Sequence, residues 1–208
     1  MKYQPGYAYH IKDSYFAKVQ DSNLMQNKEA GNYRPTYFCL QDKKTGLLWV
    51  VPMSTKIEKF QAIHDKQKAR YGKCLTIVMG EYGGKKSAFL LQNMFPITEQ
   101  YIDHIHTVKG NPVPVKYSIQ QVVQSNMAQL RLLINKGSKI VFSDVQRLEK
   151  LMIAEIAFEQ KADPAQAAPA TGKTPKNMKD RMAAAADEAK KRNAGTQPAP
   201  KRPKDLEK

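Results

Sequence analysis

Residues 36–56 read TYFCLQDKKTGLLWVVPMSTK, and this stretch decides the fold class. Residues 36–41 and 47–51 are rich in β-branched and aromatic side chains, and a polar segment ending in Gly46 separates them. Two such runs around a glycine-containing turn predict a β-hairpin. The second run continues into a proline, two hydroxyl residues and a lysine, so the second strand is expected to end in a polar loop.

The same alternation of apolar runs and turns continues on both sides of this hairpin. Residues 74–79 and 87–92 flank the turn 81–86 and predict a second hairpin. Residues 7–11 predict a first strand, and a short helix is expected over 13–19. Because no crossover helices are evident between these strands, the pattern favours an antiparallel barrel over a parallel sheet.

The following part of the domain has helical spacing. A short helix is expected to open at residues 96–98 and to present Tyr101, Ile102 and Ile105 on one face. A longer helix is predicted over 117–136, and Gly137 stands where a left-handed C-cap belongs. Residues 143–146 match a capping box before a last helix. The fold class is therefore predicted to be α+β.

Charge and composition divide the chain in two. The 208 residues include 34 Lys and Arg against 19 Asp and Glu, a net charge of +15. Residues 161–208 contain no aromatic residue and carry 12 Lys and Arg against 6 Asp and Glu. Such a segment buries too little apolar area to fold, so a disordered basic tail is predicted at 161–208 and a folded domain at 1–160.

The basic balance indicates a polyanionic partner, most simply RNA, and the alternative is that it only aids solubility. Cys39 and Cys74 lie in apolar runs typical of buried core residues, and no metal-binding motif is evident. No stretch suits a membrane span, and residues 1–6 lack the apolar region of a signal peptide. We therefore expect no metal, no cofactor, no membrane association and a cytoplasmic location.

Ser54, Thr55 and Lys56 leave the end of the predicted strand together. Two hydroxyls can hold a phosphate, and a lysine can stabilise the charge of a pentavalent transition state. The alternative is structural, because residues 55–58 also match a helix capping box.

Residues upstream supply further candidates. Arg34 offers a planar fork suited to phosphate, and Tyr33 can stack on a base. Tyr9 and His10 are predicted to face opposite sides of the first strand. The other three histidines, His64, His104 and His106, have no partner that the sequence identifies.

The order of these motifs resembles the ToxN/AbiQ family, the endoribonuclease toxins of type III toxin–antitoxin systems. The resemblance rests on four segments in series, which are 33–38 (YRPTYF), 51–56 (VPMSTK), 92–97 (QNMFPI) and 129–134 (QLRLLI). Lys139 and Ile140 then precede a Leu-rich final helix, and the series covers most of residues 7–160.

The resemblance implies a MazF/Kid-like compact barrel with added helices. It also implies metal-independent RNA cleavage, in which the ribose 2′-OH attacks the phosphate and leaves a 2′,3′-cyclic phosphate and a 5′-OH. The inhibitor would be a repetitive small RNA held with the toxin in a closed protein–RNA assembly, and the substrate would be cellular or phage RNA.

Carried onto this sequence, the resemblance makes Ser54 and Thr55 the hydroxyl pair and makes Lys56 or Lys59 the catalytic lysine. Arg34 stands where relatives have a lysine. Expected RNA contacts come from five side chains, namely Tyr33, Tyr9, His10, Lys59 and Lys28. Two alternatives remain at this point: a non-catalytic RNA- or DNA-binding barrel, and a partner-binding module whose tail is the active element.

Overall fold

The computed structural model describes residues 3–29 and 31–162, and the predicted tail lies outside these described residues from residue 163 onward. In chain order the described elements are β1 (Ala8–Ile11), α1 (Asp13–Val19), β2 (Lys28–Glu29), β3 (Asn32–Tyr33), β4 (Thr36–Gln41), β5 (Leu48–Ser54), α2 (Ile57–Tyr71), β6 (Ile77–Tyr82), β7 (Lys85–Leu90), β8 (Phe95–Ile97), β9 (Ile102–Ile105), β10 (Thr107–Val108), β11 (Asn111–Pro112), α3 (Tyr117–Asn135) and α4 (Val145–Ala162). Two short 3₁₀ turns lie at Leu91–Asn93 and Glu99–Tyr101.

A single antiparallel sheet forms the centre of the fold, with the strand order β6–β7–β5–β4–β1–β9. Strand β5 pairs with β4 along one edge and shares its other edge between two strands. Leu48–Val50 pair with β8, whereas Met53 and Ser54 pair with β7. Pro52 lies between these two pairings, where its missing N–H breaks no ladder on that edge.

Both predicted hairpins are confirmed. The β4–β5 register runs from Thr36 opposite Pro52 to Gln41 opposite Leu48. In the second hairpin, β6 and β7 pair as far as Tyr82 opposite Lys85, which leaves a two-residue loop. Gly83 and Gly84 form this loop with φ of +58° and +78°. Two successive positive φ values are what the tight hairpin turn with the twist of its strands requires, and glycine adopts them without strain.

The sheet is open, so the expected barrel is not confirmed, whereas the α+β class and the antiparallel pairing are. Strands β6 and β9 end the path, and no ladder joins them among the described residues. Here the β6–β7 loop meets β10 through side-chain contact, since a Cβ on Gly83 would lie 2.7 Å from Val108 Cγ2. Because the β6–β7 loop and β10 meet through side chains and not through backbone hydrogen bonds, the sheet stays open at this edge.

Apolar side chains cover both faces of the sheet. Helix α3 packs on one face through Val123, Met127 and Leu130, all fully buried. Helices α1 and α4 cover the other face, where a second cluster includes Tyr15, Phe38, Phe95, Leu148 and Met152. A smaller cluster under α2 contains Phe60 and Cys74. Both cysteines are free thiols in the core, as predicted, and burial raises the pKa of Cys39 to about 12.

The structure corrects two assignments of secondary structure. The short helix predicted after residue 96 is wrong, because Ile102–Ile105 form β9 and pair with β1. Apolar residues at 101, 102 and 105 fit a helix locally, but the unpaired edge of β1 binds this segment as a strand. Helix α2 was not predicted, because its sequence has no apolar stripe. Phe60 is its buried residue in the described structure.

The ends of the helices follow the sequence in part. Helix α3 and the left-handed Gly137 after it are confirmed, with φ of +87°. At α4, Asp144 Oδ1 accepts the N–H of Arg147 at 3.1 Å, whereas the Ser143 hydroxyl donates to Met94 O at 2.8 Å. The predicted role of Ser143 as the capping side chain is therefore wrong. None of the described helices has the length and apolar character needed to cross a bilayer.

Candidate RNA-binding cleft

A cleft of about 620 Å³ lies at the open edge of the sheet. Its walls come from the β3–β4 connection, the end of β5, the β6–β7 hairpin and the segment around β10. The lining residues are Asn32, Tyr33, Arg34, Pro35, Met53, Ser54, Thr55, Tyr82, Gly83, Lys85, Ser87, His106, Thr107, Val108 and Lys109. This volume is in the range of small-ligand sites, so it suits an unstacked nucleotide better than a duplex.

The predicted hydroxyl pair lies in this cleft. Ser54 ends β5 and is buried, and its Oγ accepts the backbone N–H of Lys56 at 3.2 Å. Thr55 is exposed, and its carbonyl accepts the N–H of Ile57 at 2.8 Å. The capping position of α2 is Lys56, which makes no side-chain cap bond, so the capping box considered for residues 55–58 is not formed. The Thr55 hydroxyl is therefore not used to start the helix.

Arg34 lines the cleft and is fixed by backbone carbonyls. Its Nη1 donates to Met53 O at 3.1 Å and its Nε donates to Gln26 O at 3.2 Å. Its own N–H donates to Asn27 O at 2.7 Å. The guanidinium thus links Gln26 to Met53 of β5, the residue directly before Ser54. An arginine held in this way keeps its planar fork in one orientation beside the hydroxyls.

Tyr33 and Lys28 form a second group at the rim. The Tyr33 hydroxyl donates to Asp13 Oδ2 at 3.1 Å, and Lys28 Nζ lies 2.8 Å from the same oxygen. Lys28 Nζ also lies 4.4 Å from the centre of the Tyr33 ring. The Lys28 hydrogen bond lowers the pKa of Asp13, and Asp13 in turn raises the pKa of Lys28. Tyr33, which lines the cleft, is thus held by Asp13, and Lys28 lies against its ring outside the cleft lining.

His10 meets two other histidines beside the cleft. Its Nε2 lies 2.9 Å from His106 Nδ1, and its ring stacks on His104 with centres 4.6 Å apart. Burial and the neighbouring His104 and His106 lower the pKa of His10 to about 4. Burial, together with His104, also lowers the pKa of His106. Two of these three histidines, His104 and His106, were not assigned a role from the sequence.

The structure places the two candidate lysines and Tyr9 outside the cleft lining. Lys56 adjoins Thr55, and Lys59 lies one turn into α2 with its Nζ 5.7 Å from the Phe60 ring centre. Lys85 and Lys109 line the cleft instead. Tyr9 is buried, and its hydroxyl donates to Gln4 O at 3.2 Å. The roles of Lys56, Lys59 and Tyr9 therefore stay predictions.

Among the cleft and cluster residues that sequence reasoning missed, Lys85 has a local signal in the sequence. Lys85 lies in a segment whose turn was evident, and two-residue loops place the flanking residues at the tip of a hairpin. His104 and His106 alternate at the spacing that puts side chains on one face of a strand, but this requires assigning the segment as β9 first. Their proximity to His10, 94 and 96 residues away, has no local signature.

The arrangement as a whole suits a phosphate diester. Arg34, Lys85 and Lys109 supply positive charge, Ser54 and Thr55 supply hydroxyls, and the residues come from four separate segments. Phosphate oxygens are bound by these groups in proteins.

Comparisons with known proteins give a likeness of structure rather than of sequence. No family model matches the sequence, and no curated protein does. Among solved structures, the chain is similar to AbiQ, a lactococcal anti-phage endoribonuclease belonging to the type-III toxin–antitoxin system, with a TM-score of 0.53 and 15% identity. The match covers 74% of this chain and 98% of AbiQ. The resemblance predicted from the motif series is thus confirmed at the level of the fold.

Proposed function

We propose that this protein is an endoribonuclease and the toxin of a type III toxin–antitoxin system. One observation carries the proposal: on a fold similar to that of AbiQ, the cleft brings together Arg34, Ser54 and Thr55, which the motif series singled out. The net charge of +15 supports a nucleic-acid ligand. Neighbouring cationic and hydroxyl groups support chemistry at a phosphate.

In the proposed reaction the ribose 2′-OH attacks the adjacent phosphate without a metal ion. The products are a 2′,3′-cyclic phosphate and a 5′-OH. Ser54 and Thr55 orient the phosphate, Arg34 holds a non-bridging oxygen or a neighbouring phosphate, and Lys56 or Lys59 stabilises the charge that develops at phosphorus. Tyr33, with Lys28 beside it, receives an unstacked base at the rim.

The direct test uses the purified chain and a pool of random-sequence RNA oligonucleotides in excess EDTA. We expect cleavage at a restricted set of sequences, with 5′ ends that polynucleotide kinase labels without prior phosphatase treatment. Cleavage that disappears in EDTA would refute the metal-independent mechanism. RNA that is shifted on a native gel but stays intact would instead support the non-catalytic binding protein.

The proposed inhibitor is a repetitive small RNA that assembles with the protein in a closed complex. The DNA upstream of the coding region should then contain tandem short repeats, and the RNA transcribed from them should abolish cleavage. Sedimentation of the mixture should give one species of fixed protein-to-RNA ratio. Inhibition by an unrelated RNA of equal length and concentration would argue for simple competition.

The basic segment 161–208 is proposed to be dispensable for chemistry. Every lining residue of the cleft lies before residue 110. A chain ending at residue 162 should therefore keep its cleavage rate and lose some salt-dependent RNA affinity, because 11 Lys and Arg are removed. A truncated chain that folds but does not cleave would favour the tail as the active element.

A further inference from the structure

Three histidines from distant parts of the chain form one cluster at the wall of the cleft. His10 lies on β1, His104 lies on β9, and His106 follows β9 directly. The backbone holds the last of these, because the N–H of His106 donates to Ala8 O at 2.9 Å. The rings of His10 and His106 lie 5.0 Å apart between centres, and their Nε2 and Nδ1 atoms are 2.9 Å apart.

Of the three, His106 lines the cleft, in company with Ser54, Thr55 and Arg34. Its Nδ1 is engaged by His10, and its Nε2 has no hydrogen-bond partner among the described residues. His10 lies behind it, 9% exposed, and offers one further buried nitrogen, Nδ1, without a partner in the described part of the chain. This arrangement presents one imidazole nitrogen to a ligand and fixes the ring through the other.

The groups around His106 favour its neutral form. Tyr82 of β6 has its ring centre 5.8 Å from that of His106, and His104 is bonded at Nδ1 to Asp103 at 2.9 Å. Lys85 and Lys109 line the same cleft. Burial first, and His104 second, lower the pKa of His106. A neutral imidazole at neutral pH can accept a proton.

We propose that His106 is the general base of the RNA cleavage reaction, and that His10 is its positioning residue; this proposal rests on the endoribonuclease function proposed above. His106 Nε2 takes the proton of the ribose 2′-OH while the 2′-oxygen forms its bond to phosphorus. The bond between phosphorus and the 5′-oxygen breaks, and the leaving oxygen takes a proton from water. The resulting imidazolium donates its Nδ1–H to His10 Nε2 and later releases the Nε2 proton to water.

The main test compares His106→Ala with the wild-type chain on an oligonucleotide that the wild type cleaves. Single-turnover cleavage should fall by about 10²- to 10⁴-fold, the usual contribution of a general base. The Kd for the same oligonucleotide with a 2′-deoxyribose at the cleavage site should stay within about twofold. Added imidazole should restore part of the rate, and the acidic limb of the pH–rate profile should disappear. Equal losses of binding and cleavage, or an unchanged rate, would overturn the proposal.

The role of His10 is tested by a conservative pair. His10→Gln keeps a side-chain amide near the position of Nε2, whereas His10→Ala removes the partner of His106 Nδ1. We expect the glutamine variant to cleave within a few-fold of the wild type and the alanine variant to lose about tenfold with a shifted acidic limb. Two variants with the same rate and pH profile would contradict a positioning role. His64→Ala, on α2 and bonded to Asp65, serves as the control variant.

A substrate with a bridging 5′-sulfur distinguishes a base from an acid, because a thiolate leaves without protonation. The His106→Ala defect should be as large on the sulfur substrate as on the oxygen substrate. A defect that vanishes with sulfur would assign His106 as the general acid and overturn the base assignment. If the wild-type chain cleaves neither substrate, the endoribonuclease proposal itself fails, and this result is obtained without any variant.

Discussion

The Oγ of Ser54 accepts the backbone N–H of Lys56 at 3.2 Å, so one of the two cleft hydroxyls also shapes the start of α2. Thr55, its neighbour, is exposed and uses no side-chain atom for a hydrogen bond among the described residues. An accepting oxygen keeps its O–H free, so both hydroxyls remain able to donate to a phosphate. Removal of the Ser54 side chain should therefore reduce the stability of the fold, whereas removal of the Thr55 side chain should have little effect on it.

We therefore expect Ser54→Ala and Thr55→Ala to separate stability from activity. Ser54→Ala should lower the free energy of unfolding by about 1 kcal/mol, because a partly buried N–H loses its acceptor. Thr55→Ala should leave it within about 0.5 kcal/mol of the wild type. Both should reduce RNA cleavage by at least tenfold. Urea unfolding and single-turnover cleavage measure the two quantities, and a Thr55→Ala chain with full activity would exclude that hydroxyl from the site.

Lys56 and Lys59 form a matched pair for locating the catalytic lysine. Lys56 directly follows the cleft residue Thr55, whereas Lys59 lies three residues further along α2. Since electrostatic stabilisation of a transition state needs close approach, Lys56→Ala should lower cleavage by about 10²-fold or more, and Lys59→Ala by less than tenfold. The rates are measured at saturating RNA. The opposite order would assign the role to Lys59. If both variants lose little activity, Lys85 and Lys109, which line the cleft, become the candidates for the catalytic lysine.

The sequence predicted the parts of the fold that have strong local signals. The β4–β5 hairpin has a long apolar strand on each side of a glycine turn, and α3 has a full apolar stripe from Val123 to Ile134. Helix α2 lacks such a stripe, because its other side chains are mostly polar and face solvent. β9 was misassigned since its pairing with β1 joins segments about 90 residues apart, which local periodicity does not report.

Of the residues that line the cleft, those near the ends of predicted strands could be identified from the sequence, and those brought in by tertiary packing could not. Arg34, Ser54 and Thr55 are close in sequence to strand ends, so their common location follows from the hairpin. Lys85, His106 and Lys109 reach the cleft through the packing of the β6–β7 loop against β10. That contact depends on the missing side chain of Gly83, which no motif identifies.

The contact between Gly83 and Val108 provides a matched test of the cleft wall. Gly83 and Gly84 both have positive φ, but a Cβ on Gly83 would lie 2.7 Å from Val108 Cγ2, whereas nothing lies within 4 Å of a Cβ on Gly84. Gly84→Ala should cost about 1 kcal/mol from backbone strain alone. Gly83→Ala should cost about 1–3 kcal/mol more, because the added methyl overpacks the contact.

The same pair should differ in RNA binding. Gly83→Ala displaces the β6–β7 loop from β10, so the Kd for uncleavable 2′-deoxy-substituted RNA should rise, whereas Gly84→Ala should leave it unchanged. Adding Val108→Ala to Gly83→Ala removes the methyl groups that the new Cβ meets. The double variant should recover both stability and Kd in part. Equal stability of the two single variants would show that Val108 does not constrain the loop.

The lowered pKa of His10 makes the stability of the domain depend on pH in a defined window. Burial keeps the pKa of His10 near 4, against 6.5 for the unfolded chain. Between these values the unfolded state binds the additional proton, so the free energy of unfolding falls as the pH drops from about 6.5 to about 4 and is fully retained above that window. Solvent screening keeps the contribution below the roughly 3 kcal/mol that the full shift of the pKa would give. Urea unfolding from pH 7.5 to pH 4 measures it. His10→Gln should reduce the slope within this window to the part that His106 contributes, and His64→Gln should leave the slope unchanged. A His10→Gln chain that keeps the wild-type slope would show that other groups, such as His106, whose pKa burial also lowers, account for the acid sensitivity.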